Sequence, residues 1–212
     1  MLKYNFIVLA ILFNGAIRMF DRKLLAVDLL HEHHQEILDL ESEYLMALKD
    51  LAVTDEAAAA RKMGASYPVT RALISVDDEC LSEFRSHAKT TTPLIRVSKN
   101  AVTAIGRLEK LKSRKVLSVE FNSGVFYEVV QLESELLYRM REMAKIDPDL
   151  AAKKLRCQIN FTETLALIPS RRVIGLKNYI PAESPLFRIA QSDGEATRTL
   201  EYIHERIPYS LN

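Results

Sequence analysis

The sequence predicts an all-α protein: a multi-helix bundle on a long, heptad-patterned N-terminal helix, with at most one β-hairpin, at residues 116–130. Three observations lead there. From Tyr4 to Val53 apolar residues recur at alternating steps of four and three with no proline between them, the spacing of a helix that buries a seam. Most later long segments keep a helical spacing of apolar residues too. Finally, six glycines in 212 residues are few for a β-sandwich or a glycine-rich nucleotide site.

The N-terminal seam runs through Phe6, Ala10, Phe13, Ile17, Phe20, Leu24, Val27, His31, His34 and Leu38, then on through Glu41, Leu45, Leu48 and Ala52. A second row, Leu30, Ile37, Tyr44 and Leu51, lies beside it and widens the stripe to bundle width. Some 50 helical residues would span about 75 Å at 1.5 Å per residue. A compact domain of this size cannot cover that length, so part of the helix projects or bends at Asn14-Gly15. His31, His34 and Glu41 stand where Leu would otherwise fill the seam, and polar seam residues fix register or partner at a cost in stability. If the seam joins two copies, its buried imidazoles make association weaken between about pH 7 and 5.

Residues 1–20 admit three readings. Phe6 to Phe13 is apolar, Lys3 and Arg18 flank the run, and about 14 uncharged residues lie between those charges, fewer than the ~20 of a membrane span. A membrane anchor through Phe6–Ile17 would therefore be short. A signal peptide cleaved after Ala16 would put Asn14 at a poor position. The unbroken heptad phase from Phe6 past Leu24 favours the remaining reading, a helix buried in the bundle or in an oligomer seam.

Beyond the long helix, Thr54 caps a short helix that Gly64 stops. Pro68 opens one to about Lys89, and Thr90–Pro93 breaks it. Leu94, Val97, Ala101, Ile105, Leu108 and Leu111 form another, with a basic face of Arg107, Lys110, Lys112, Arg114 and Lys115. Residues 116–130 carry a hairpin signal, but Leu117, Phe121, Val125 and Val129 run in helical phase into Leu136 and Met140, so a helix to Lys145 is favoured. Asp147-Pro148 opens a helix to Ile168, residues 169–186 are extended, a short helix covers 186–191, and a last one follows Ser192-Asp193. The chain divides into an apolar segment (1–20), a bundle (21–168) and an extended segment with the C-terminal helix (169–212). No internal repeat is read.

The totals exclude more than they assign. A net charge of +1 gives no field for nucleic acid. Cys80 and Cys157 lack metal or redox spacing and read as core residues. Asp28 with His31, and Glu201 with His204, each set a carboxylate and an imidazole three apart, half of a di-iron carboxylate pattern, but one pair has Asp for Glu. They are weak metal ligands on sequence grounds, and no cofactor is expected. Arg171-Arg172 reads as a solvated pair. With no nucleophile elbow or phosphate loop, the leading expectation is a non-enzymatic helical interaction protein that self-associates, or binds a helical partner, through the seam from Phe13 to Leu38. A membrane-tethered assembly component and a di-metal enzyme are the alternatives.

Overall fold

Helix α1 runs from Leu2 to Thr54, through Asn14-Gly15 without interruption. Its 53 residues span about 80 Å. The computed structural model describes residues 2–87, 93–99, 101–103, 105, 124–174 and 184–206, leaving the side chains of 2–24, 85–87 and 206 outside that description. The predicted all-α class is the one found, with more and shorter helices than expected and a small two-stranded ribbon: ten helices have described residues, one of them only in part, from Lys99.

Local chemistry sets the boundaries. The residue that caps α2 (Glu56–Met63) is Asp55 rather than Thr54: its Oδ1 accepts the Ala58 N–H at 2.8 Å, while the Thr54 hydroxyl donates back to the Asp50 carbonyl. Gly64, at φ 57°, stops α2 in the left-handed conformation that suits glycine. The single helix expected from Pro68 to Lys89 is two, α3 (Tyr67–Ser75) and α4 (Asp78–His87), because Val76 turns extended. Lys49 Nζ satisfies the released Val76 carbonyl at 2.6 Å and the Asp78 carboxylate at 2.5 Å. Strand β1 (Ile95–Val97) replaces the start of the next predicted helix, whose described part begins at Lys99.

Val125–Val130, the second strand of the hairpin alternative, lies inside α5 (Gly124–Ile146), as the helical phase favoured. Residues 116–123 and the basic face from Arg107 to Lys115 fall outside the described residues. The helix expected from Pro148 to Ile168 is also split, into α6 (Pro148–Leu155) and α7 (Ile159–Leu167). Ser170–Ile174 forms a short helix, α8, where extended chain was expected, and β2 (Phe187–Ile189) stands where a helix was. The last helix, α9 (Asp193–Arg206), begins where Ser192-Asp193 predicts it.

These splits expose an internal repeat, contrary to the expectation of none. A shift of 92 residues, from Asp55 to Asp147, brings element onto element. Helices α2 and α6 each have eight residues, an Asp whose side chain caps the third N–H, and a left-handed stop, Gly64 (φ 57°) or Arg156 (φ 49°). Helices α3 and α7 each have nine residues and end on an extended Val76 or Ile168. Arg141 repeats the work of Lys49: its Nε donates to the Ile168 carbonyl and its Nη1 to Ser170 Oγ, the residue that opens α8. The core follows suit, with Ile37 and Val129, Leu45 and Leu137, and Leu73 and Leu165 all fully buried. Two stretches repeat almost letter for letter: Leu40-Glu41-Ser42-Glu43 as Leu132-Glu133-Ser134-Glu135, and Pro93-Leu94-Ile95-Arg96-Val97 as Pro185-Leu186-Phe187-Arg188-Ile189.

The copies meet through a local two-fold relation. Strands β1 and β2 pair antiparallel with Arg96 opposite Arg188, which are equivalent residues, while Ile95 faces Ile189 and Val97 faces Phe187. The flanking hydrogen bonds match as well: Ser98 N–H to the Leu186 carbonyl at 2.9 Å and Ala190 N–H to the Leu94 carbonyl at 3.2 Å. Helices α1 and α5 share the largest interhelical contact, and α9, from the second copy, packs on α3 and α4 of the first. One hydrophobic core spans both copies.

Candidate functional site

The repeat shows what α1 adds. Helices α1 and α5 end at equivalent residues, Thr54 and Ile146, and the described part of α5 reaches back to Gly124, the counterpart of Glu32. Residues 2–31 of α1 therefore lie N-terminal to anything that the described part of α5 matches, roughly 45 Å of helix. At their inner end Leu30 is buried, yet Leu25 and Val27 are each 60% exposed and Leu29 39%. Leu25 and Leu29, one turn apart, share an exposed face, and Val27 lies on the opposite side of the helix.

The predicted seam divides there. Val27 and His31 are exposed, whereas His34 and Leu38 are buried inside the chain's own bundle, with Glu41, Leu45, Leu48 and Ala52 after them. His34 and Leu38 thus belong to the core and not to an intermolecular seam, because α5 and the short helices supply the cover that a second copy was expected to give. Phe13, Ile17, Phe20 and Leu24 lie on α1, with side chains outside the described residues.

The second arrangement is a polar cluster between the copies. Glu133 is fully buried, and a carboxylate cannot sit there ionised without partners. Tyr44 Oη donates to its Oε1 at 3.2 Å, Lys62 Nζ pairs with its Oε2 and reaches the Ser184 carbonyl at 3.4 Å, and the Leu186 N–H faces it. Desolvation pushes the Glu133 carboxyl up to about 7, against the lowering effect of Lys62 and of the hydrogen bonds. Burial, then the Glu133 charge, raises the Tyr44 phenol well above its ordinary range. The equivalent carboxylate, Glu41, accepts the Ile95 N–H at 2.6 Å. Both glutamates therefore clasp the chain around the ribbon to the long helix of their own copy. Tyr44, Lys62 and Glu133 are each 1% exposed or less, so the cluster is sealed from substrate and its chemistry is structural. Sequence reasoning passed over it; the doubled Leu-Glu-Ser-Glu was the signal.

The remaining candidates are scattered. Asp28 and His31 are exposed on α1, while Glu201 is exposed and His204 half-buried on α9. Among the described residues no group of three or more His, Cys, Asp or Glu side chains is placed to hold a metal ion. Cys80 is buried in α4, and burial raises its thiol; Cys157 is half-buried with its thiol pushed up to about 11, so neither is an activated nucleophile. Arg171 is exposed and Arg172 half-buried on α8. No known protein family, curated protein or solved structure matches the chain.

Proposed function

We propose that this chain is a non-enzymatic helical interaction protein that self-associates through the N-terminal part of α1. The observation that carries the reading is the reach of α1: residues 2–31 extend it beyond the part matched by the described residues of α5, and Leu25 and Val27 near the inner end of that reach are exposed. The heptad seam from Phe6 to Val27 supplies the apolar face. Two such helices side by side bury that face at about 25 cal/mol per Å². The duplicated bundle acts as the platform that holds the arm.

A membrane-tethered assembly component is the second reading, favoured by the apolar run Phe6–Phe13. Among the described residues no helix is long and apolar enough to cross a membrane. Sedimentation of the full chain and of a chain starting at Leu25 separates the readings. Self-association gives an oligomer for the first and a monomer with an unchanged melting temperature for the second. An oligomer that survives truncation overturns the proposal, as does full-length protein that stays in the membrane pellet after a carbonate wash.

A further inference from the structure

The two halves differ at one spot in a way that leaves cationic groups around an open cleft. Where α9 meets α3, Asp193 bridges the copies: its Oδ2 accepts the Ser66 N–H at 3.0 Å and its Oδ1 the Arg188 Nη2 at 3.2 Å. These donors hold the Asp193 carboxyl below its ordinary value. The repeat places Gln158 at the position of Ser66, Arg96 at that of Arg188, and Ala101 at that of Asp193. The arginine is kept, with its Nη1 turned to backbone carbonyls, and the carboxylate is gone.

A cleft of about 560 Å³ opens here, lined by Val97, Ser98, Lys99, Val102, Arg156 and Cys157, with Gln158 at its edge. Its size is that of a small-molecule site. Lys99 and Arg156 replace Gln191 and Gly64 of the related half, which adds two positive charges where the bridging negative charge is missing. Arg96 does not itself line the cleft: it donates through Nη1 to the carbonyls of Pro93 and Ile95, and its Nε is buried. Burial, and then the Arg156 charge, lower the Arg96 guanidinium; Glu195 offsets this in part, although its Oε2 already accepts the Gln191 N–H at 3.1 Å. Val97, Val102 and Cys157 give the cleft an apolar wall.

We propose that this cleft binds a small organic carboxylate, whose carboxyl group takes the place that Asp193 fills in the related half and whose apolar part lies against Val97 and Val102. The cations make charge-assisted hydrogen bonds to it, the stronger class of such bonds. The built-in carboxylate of one half is the template for the ligand of the other.

Calorimetric titration of the full chain with hexanoate tests this, with hexanol and inorganic phosphate as comparison ligands. Expected is saturable hexanoate binding with a Kd of about 1 mM or lower, weakened roughly tenfold or more in Lys99→Ala/Arg156→Gly. That variant keeps the fold, because Lys99 is exposed and glycine already serves at the equivalent Gly64; an unchanged or higher melting temperature checks this. Single Lys99→Ala and Arg156→Gly chains serve as second variants. Hexanol binding as tightly as hexanoate, phosphate binding more tightly, no saturation, or hexanoate affinity unchanged in the variants would each overturn the proposal.

Discussion

Glu133 and Asp193 are carboxylates in opposite circumstances, and the pH dependence of stability separates them. The Glu133 pKa is raised in the fold, to about 7 from an ordinary 4.5, so the folded chain holds a proton that the unfolded chain releases. Its contribution is complete below about 4.5 and is lost as pH rises through about 7. Asp193 is lowered, so its contribution is present above its unfolded value of 3.8 and disappears as pH falls through the folded one. Urea unfolding between those limits is expected to show stability falling from pH 5 to 7, a slope that Lys62→Met/Glu133→Gln removes. The same pair carries an energetic expectation. Above about pH 7, where Glu133 is ionised in the intact chain, Lys62→Met alone leaves a buried carboxylate without its cation and costs about 3–5 kcal/mol. Adding Glu133→Gln restores most of that, since the amide oxygen still accepts from Tyr44 Oη and the Leu186 N–H. A double variant no more stable than Lys62→Met would show that the ion pair is not what the lysine supplies.

At the scale of elements, α2, α3, α6 and α7 each end where one residue leaves the helical backbone: Gly64, Val76, Arg156 and Ile168. Arg156 stops α6 at φ 49°, a conformation that costs a side-chain-bearing residue about 1 kcal/mol and glycine almost nothing. Arg156→Gly is therefore expected to stabilise the chain by up to about 1 kcal/mol, read as a higher urea midpoint; a lower midpoint would mean that the guanidinium makes contacts worth more than the strain. The sequence discloses such stops unevenly. Gly64, Asp147 and Pro148 are legible because their backbones, side chains or rings act locally, whereas the cap of α2 falls at Asp55, one residue after the Thr54 expected. Val76 and Ile168 are not, because the breaks depend on Lys49 and Arg141 reaching across from helices 27 residues earlier. Strand β2 was hidden for a related reason: Phe187-Arg188-Ile189 is too short for a period and gains its conformation from pairing with residues 95–97. The cleft beside Arg156 was out of reach as well, since its cations matter only through their relation to Asp193 on the far copy.

Across the whole molecule, the two copies cannot be taken apart without damage to both. Helix α9 of the second copy packs on α3 and α4 of the first, Lys62 of the first copy neutralises Glu133 of the second, and one core runs through all of them. Thermal unfolding followed by far-ultraviolet circular dichroism is therefore expected to be a single cooperative transition, with amides of Leu45 and Leu137 exchanging at the same rate-limiting opening; two separated transitions would mean that the copies stand alone. The exchange of parts also bears on how the chain is made. During synthesis α3 and α4 leave the ribosome more than a hundred residues ahead of α9, which covers them. Through that interval the first copy displays Val69, Leu73 and Cys80, destined for the core, and Lys62 waits without its glutamate. A nascent chain in that state is sticky, and the second copy of the same pattern, arriving within the same molecule at high effective concentration, outcompetes neighbouring chains for that surface. Duplication in one polypeptide turns a risk of aggregation into a timed, intramolecular rendezvous.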